Sequence, residues 1–321
     1  MSEYLRADWR EAGKESLRAG FGHGLTLLAR DNSKIVALSG DLADSVGFGE
    51  FQKEFGEPRY IEVGVAEQDL VTVASGLSAM GAVPFAASYA AFSPGRNWEQ
   101  IRTTICINDR AVNLVGSHAG LNVGADGATH QMLEDIALMR SLPNMVVLAP
   151  GDAHEAEQMA GAMAKDPRPN YVRLPREKTP SFTAEAADFE IGQAYVLREG
   201  SDVALFGTGV MTYQLLLVAE KMAEQGISAE VVHVPTIKPL DEQTLLASAC
   251  KCGRVLTAEE GQMAAGFGGA VAELLGGQAP MSLCRVGVRD SYGESGTMAE
   301  LWRKHGLDVD SIVQIAQKML Q

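Results

Sequence analysis

Short apolar runs alternate with helical periodicities along almost all of this 321-residue chain, and that alternation constrains the fold more than any other feature. "KIVALSGD", the run Tyr60–Val65, "AVPFAAS", "AVNLVGS", "MVVLAP" and "YVRLPR" read as strands built from β-branched and small apolar residues. Between them lie segments whose apolar side chains recur at three- and four-residue spacing, the period of a helix packed on a core. The clearest is 68–80, where Leu70, Val73, Ala74 and Leu77 fall on one stripe. "WREAGKESLRAGFGHGLTLLARD", "NWEQIRTTICI", "MLEDIALMRSL" and "DAHEAEQMAGAMA" follow the same rule. Such alternation predicts an α/β fold whose mostly parallel sheet is covered by helices on both faces.

The period lapses over "EKTPSFTAEAADFEIGQ", a polar stretch containing Pro180, which reads as a linker. Beyond it the alternation restarts with "DVALFGTG", "YQLLLVAEKMAEQG", "AEVVHVP", "DEQTLLASAC" and "RVLTAEE". The expectation is two doubly wound domains, 1–180 and a smaller 190–321. A formal net charge of −14 argues against a nucleic-acid surface, while leaving room for a local basic pocket. No apolar run is long enough to cross a bilayer, and "MSEYLRADWREAGKES" lacks the apolar core of a signal peptide. A cytoplasmic protein is expected, with no membrane or nucleic-acid partner. Cys250 and Cys252 form a CxC pair, but no His or further Cys stands near at metal-ligand spacing. Idle thiols are expected there, and no metal site.

In open parallel sheets ligands bind beyond the carboxyl ends of the strands, so the polar residues just after each strand deserve the closest reading. They are Ser39, Asp41 and Ser45 after the first strand and Glu67 after the second. Ser88, Tyr89 and Phe92 follow the third; Ser117 and His118 follow the next, with Asp126, Thr129 and His130 in its glycine-rich loop. Arg173 and Arg176 close the first half. Taken singly, a strand-end Asp or Ser serves equally well as a helix cap. The loop "GLNVGADGATHQ" has no Walker lysine after it, and the dinucleotide G-x-G-x-x-G is absent after the first strand. Glu67 is the sharper puzzle, a carboxylate at the mouth of an otherwise apolar strand–helix unit.

"RYIEVGVAEQDLVTVASGLSAMGAVPFAASYAAF", "SHAGLNVGADGATHQMLEDIALMRSLPNM" and "YVRLPRE" resemble transketolase over nearly the whole chain, "GVAEQ" and "GADGATHQ" together being highly specific. The resemblance covers that family's C-terminal portion, a thiamine-diphosphate-binding domain of the pyrimidine type followed by a transketolase C-terminal-like domain. It implies that Glu67 hydrogen-bonds the cofactor's aminopyrimidine and thereby helps deprotonate the thiazolium carbon. A carboxylate in an apolar setting suits that task, because it can share a proton with the ring. Tyr89 and Phe92 would clasp the pyrimidine, and Asp41 would lie near it. Arg18, Ser45, His118 and Arg176 would hold a sugar's terminal phosphate, the arginine fork being matched to phosphate oxygens. Asp126 and His130 would contact sugar hydroxyls and share in catalysis.

Three departures qualify the likeness. Asp69 stands where relatives carry a histidine, Tyr89 where phenylalanine is common, and "GADG" is closer to deoxyxylulose-phosphate synthases. "SGDLADS" is not the family's "GDG" motif for the diphosphate's metal. The resemblance therefore implies half of an active site. A separate N-terminal transketolase subunit would bring the diphosphate-binding domain and hold Mg2+, Ca2+ or Mn2+, and this chain would homodimerise within a heterotetramer. The implied reaction is transfer of a two-carbon ketol unit between sugar phosphates, as in pentose phosphate metabolism. Alternatives are a deoxyxylulose-phosphate synthase-like enzyme half, the beta subunit of a two-oxo-acid dehydrogenase, or a non-catalytic scaffold.

Overall fold

In the computed structural model, which describes residues 2–321, side chains on successive strand positions divide between two apolar layers. Val36 and Leu38 face one layer and Ile35 and Ala37 the other; Phe85 and Ala87 are separated from Ala86 in the same way. This is the period-two consequence of a sheet buried on both sides. Helices Leu17–Asp31 and Ala153–Lys165 cover the first face with Phe21, Leu25, Met159 and Met163. Helix Glu67–Ala79 and a π-helical turn, Ile101–Cys106, cover the second with Leu70, Ala74, Ile101 and Ile105.

In chain order the strands are β1 (Lys14–Glu15), β2 (Ile35–Ser39), β3 (Tyr60–Glu62), β4 (Val83–Tyr89), β5 (Asn113–Ser117), β6 (Val146–Leu148) and β7 (Asn170–Arg173). They continue as β8 (Thr179–Pro180), β9 (Tyr195–Arg198), β10 (Val203–Gly207), β11 (Ala229–His233), β12 (Thr236–Lys238), β13 (Arg254–Gln262) and β14 (Ser282–Val288). A seven-stranded sheet runs in the order β12-β6-β7-β5-β4-β2-β3 and a five-stranded one in the order β14-β13-β10-β11-β9. All pairs within β2–β7 are parallel, as the alternation predicts.

The two halves are joined more tightly than the sequence suggests. β12 leaves the second half to pair antiparallel with β6. Both apolar layers run on through the second sheet, Leu205 and Val231 joining one and Phe206 and Val232 the other. The N-terminal segment also crosses over. Tyr4 stacks on Tyr195 at 3.6 Å between ring centroids, and Trp9 packs edge-on against Tyr213.

Some local expectations need correction. The first helix starts at Leu17, not near Trp9, because Ser16 caps it by accepting the Ala19 N–H. Its glycines are explained by close packing: a Cβ on Gly20 would sit 2.3 Å from the Ala153 carbonyl oxygen, and one on Gly24 would sit 2.6 Å from that of Glu157. The strand read as Tyr60–Val65 ends at Glu62, and the helix expected over 97–107 changes to π-helical turns at Ile101. The presumed linker is packed rather than free. Phe182 is fully buried, the Phe182 and Thr183 N–H groups donate to Asp152, and β8 pairs with β1. Among the described residues, no helix is long and apolar enough to cross a membrane.

A buried polar chain fastens the halves together. Glu155 pairs with His233 at 2.9 Å, both fully buried, and also accepts from the Tyr4 hydroxyl at 2.5 Å and the Gly151 N–H at 2.6 Å. Thr212 meets the other ring nitrogen of His233 at 2.6 Å. Breaking such a pair leaves its partners buried without an acceptor. Glu155→Ala should therefore lower stability by about 3–5 kcal/mol, and Tyr4→Phe by about 1 kcal/mol, in denaturant unfolding.

Candidate active site

Every parallel strand of the seven-stranded sheet ends on one edge, and ten side chains singled out in the sequence lie on the loops and helix starts there or beside it. Glu67 opens helix Glu67–Ala79 and is 3% exposed. It is not a lone carboxylate in an apolar surround, as expected from the sequence. Arg96 donates to its Oε2 at 2.9 Å, and Asn97 Nδ2 holds its backbone carbonyl at 2.7 Å. The Arg96 side chain is 53% exposed and also lies over the Phe92 ring, 5.0 Å from its centroid. Sequence reading missed both residues. Their signal was available, since "GRN" follows Tyr89 and Phe92 in the same turn after β4.

From Phe92 an aromatic row leads inward. Phe92 lies roughly parallel to Tyr89 at 6.1 Å and edge-on to His130 at 5.4 Å. Tyr89 in turn stacks on His118 at 3.8 Å. His130 is oriented by Thr129, whose hydroxyl meets Nδ1 at 2.9 Å. One face of Tyr89 is thus covered by a histidine, and Phe92 lies roughly parallel to it.

His118 follows β5 with a left-handed backbone, φ 54°, a conformation that costs a non-glycine residue of the order of 1 kcal/mol and clusters at functional sites. It is 4% exposed, and Ser117 meets its Nδ1 at 3.1 Å. Burial, and then the nearby charges of Arg18 and Arg176, lower its pKa to about 3. Arg18 and Arg176 are held by carbonyl oxygens. Arg18 donates to the backbone of Ser45 and, at 2.8 Å, to that of Arg176; Arg176 donates to Val123 at 2.6 Å. Asp126 approaches Arg176 at 3.6 Å from the loop. Ser45 thus presents its carbonyl to Arg18. Burial, with Arg176 adding to it, lowers the Arg18 pKa.

Asp41 sits apart from this row. It too has a left-handed backbone, φ 60°, and its N–H donates to Glu62 at 2.6 Å, next to the Gly64 turn that leads to Glu67. Arg173, at the same edge, is structural: it is buried and paired with Asp135 at 2.9 Å. The arrangement couples a buried carboxylate to a basic recess through aromatic rings. It is suited to a ligand with a heteroaromatic portion at one end and an anionic group at the other.

The chain matches the family model "Transketolase, pyrimidine binding domain" over residues 14–181 and "Transketolase, C-terminal domain" over 192–312. It is 40% identical over 303 residues to a putative transketolase C-terminal section of Methanocaldococcus jannaschii, covering 94% of this chain and 95% of that one. It is 39% identical over 293 residues to a 6-deoxy-6-sulfo-D-fructose transketolase subunit of a Clostridium species, covering 91% of each. A solved structure described as a split gene transketolase, inactive beta4 tetramer, superposes with a TM-score of 0.89 at 41% identity. That match covers 95% of this chain and 98% of the other.

The His118 pKa near 3 predicts that its ring stays neutral from pH 8 to pH 5, which NMR of the ring resonances would check. The unfolded value is higher, 6.5, so below it the unfolded chain binds the extra proton and this group erodes stability as pH falls towards 3. His118→Gln should flatten the stability profile across that window, by up to about 1.4 kcal/mol per pH unit. Arg18→Gln or Arg176→Gln, by removing a nearby positive charge, should move the ring's titration upward.

Proposed function

Because this chain belongs to the transketolase family, we propose that it is the C-terminal subunit of a two-chain transketolase that depends on thiamine diphosphate and moves a two-carbon ketol unit between sugar phosphates. The observation that carries the reading is a buried carboxylate, Glu67, linked by Arg96 and aromatic rings to a recess holding Arg18, His118 and Arg176. When bound, the cofactor supplies the reactive carbon and the electron sink.

Glu67 holds a proton at a ring nitrogen of the aminopyrimidine, exchanging Arg96 for that partner. Phe92 and Tyr89 flank the ring with apolar surface, and Asp41 lies on the adjoining loop. Arg18 and Arg176 direct positive charge at the sugar's terminal anion while neutral His118 offers it a hydrogen bond. The Ser45 carbonyl keeps Arg18 in place. Asp126 and His130 orient hydroxyls nearer the reacting carbons. The relative named for a sulfonated sugar supports a terminal-anion site of this kind, since phosphate and sulfonate present similar oxygens.

Diphosphate and its Mg2+, Ca2+ or Mn2+ fall to an N-terminal subunit, and two copies of each chain make a heterotetramer. Likeness over nearly full length to a C-terminal section and to a split gene product supports that division. So does exposed apolar surface near Glu67: Val65, two residues before it, is 72% exposed, and Val73 in the same helix is 39% exposed.

Mixed with an N-terminal subunit, Mg2+ and thiamine diphosphate, the chain should transfer ketol units from a ketose phosphate and consume no pyruvate. Glu67→Ala should reduce kcat by about 10²–10⁴-fold, the range for a positioned acid–base group. Arg176→Ala should instead raise KM for the phosphorylated sugar by roughly tenfold or more. Full activity of Glu67→Ala in that mixture would eliminate the reading.

A further inference from the structure

The loop bearing His118, Asp126 and His130 rests on the C-terminal half, to which none of the ten site residues belongs. Glu260, at the end of β13, is 2% exposed and accepts the Trp302 indole N–H at 2.7 Å. Its other oxygen faces the start of the loop. A Cβ on Gly120, where φ is +84°, would lie 2.6 Å from Glu260 Oε2, so the loop backbone is seated directly on the carboxylate. Two further contacts tie down the rest: Asn122 Nδ2 meets the Met298 sulfur at 3.1 Å, and Gln131 Nε2 donates to the Glu294 carbonyl at 2.9 Å.

We propose that Glu260 is a positioning residue for sugar recognition: with Trp302 it seats residues 119–131 on the C-terminal domain, so that this domain sets where Asp126 and His130 stand. The inference rests on the reading of this loop as the sugar site. The chemistry of the seat is specific. Glu260 Oε1 takes the indole N–H, while Oε2 lies against the Gly120 turn of the loop. A glutamine keeps the side chain's length but has one acceptor oxygen in place of two, so it cannot both take the indole N–H and present an oxygen to the Gly120 turn. Trp302 belongs to helix Met298–His305, so the seat is anchored in the second half.

Glu260→Gln and Trp302→Phe, each in the full chain, test this by hydrogen–deuterium exchange without cofactor, sugar or partner. Both should speed amide exchange in 119–131 by about tenfold, the equivalent of one hydrogen bond to a charged group, and leave β4, β5 and β7 unchanged. In the reconstituted enzyme both should raise KM for the sugar phosphate about tenfold, with kcat and thiamine diphosphate half-saturation held. Loop exchange at the parent rate in both variants would overturn the proposal. So would acceleration spread evenly over the C-terminal half, which marks a merely structural role. If Glu260→Gln does not fold, Trp302→Phe decides, since it keeps the carboxylate and removes its indole donor. The exchange result stands apart from activity. A parent protein without ketol transfer would defeat the functional reading, while loop exchange would still judge the seat.

Discussion

The junction of the two halves turns on one buried cation. Arg173, at the end of β7, donates to Asp135 at 2.9 Å and to the Glu260 carbonyl at 3.2 Å, and Asp135 also takes the Tyr171 hydroxyl. A guanidinium removed from water is tolerable only when its donors are met and a counter-charge is close. Here one side chain satisfies that demand by drawing together β7, the helix Asp135–Arg140 and β13. Three carboxyl groups surround it, and it cannot balance them all. Burial pushes both Glu259 and Glu260 up to about 7, the attraction of Arg173 notwithstanding. Glu259 meets its demand by accepting the Phe267 and Gly268 N–H groups at a helix start, and Glu260 by taking the Trp302 indole N–H. The proposed loop seat on Glu260 thus belongs to the same cluster of buried charge around Arg173.

The basic recess obeys the same economy with opposite sign. In a chain of formal net charge −14, Arg18 and Arg176 are held near each other by backbone carbonyls, with Asp126 approaching only Arg176. Carbonyl dipoles orient the guanidinium groups without cancelling their charge. Burial first, and then the repulsion that remains, keeps His118 neutral. An anion entering the recess therefore meets donors already aimed, and little reorganisation is needed at the moment of binding.

How far the sequence discloses this follows from the range of each interaction. Strand–helix alternation is local, so both sheets and their mostly parallel sense were legible, while the antiparallel strands β9 and β12 left no such trace. The strand-end rule then located Glu67, Tyr89, His118 and Arg176 on one edge, because topology alone carries those positions there. What escaped is long-range and polar. Arg96 reaches Glu67 across 29 residues and Trp302 reaches Glu260 across 42, and neither pair leaves any periodic trace. The 177–193 stretch misled for a related reason. Its polar composition reads as a linker, yet Asp152 supplies the acceptor that lets Phe182 and Thr183 bury their backbone. Gly20 and Gly24 make sense only with the neighbouring helix backbone seen against them, another contact that sequence spacing does not display.

Arg96 shows why the site cannot simply open. Its own cost of leaving Glu67 is small, since its side chain is half exposed and water replaces the lost partner. Glu67 has no such recourse. At 3% exposure, a carboxylate stripped of its guanidinium would stand unpaired in a dry setting, which costs several kcal/mol. The exchange is therefore favourable only when the incoming group itself brings a hydrogen-bond donor or a proton to Oε2. An aromatic ring with no N–H to offer could stack on Phe92 and still fail to displace Arg96. On the proposed function, selection at this end of the site would thus be made by hydrogen-bond complementarity at a buried oxygen, where a missing partner is penalised far more than in water.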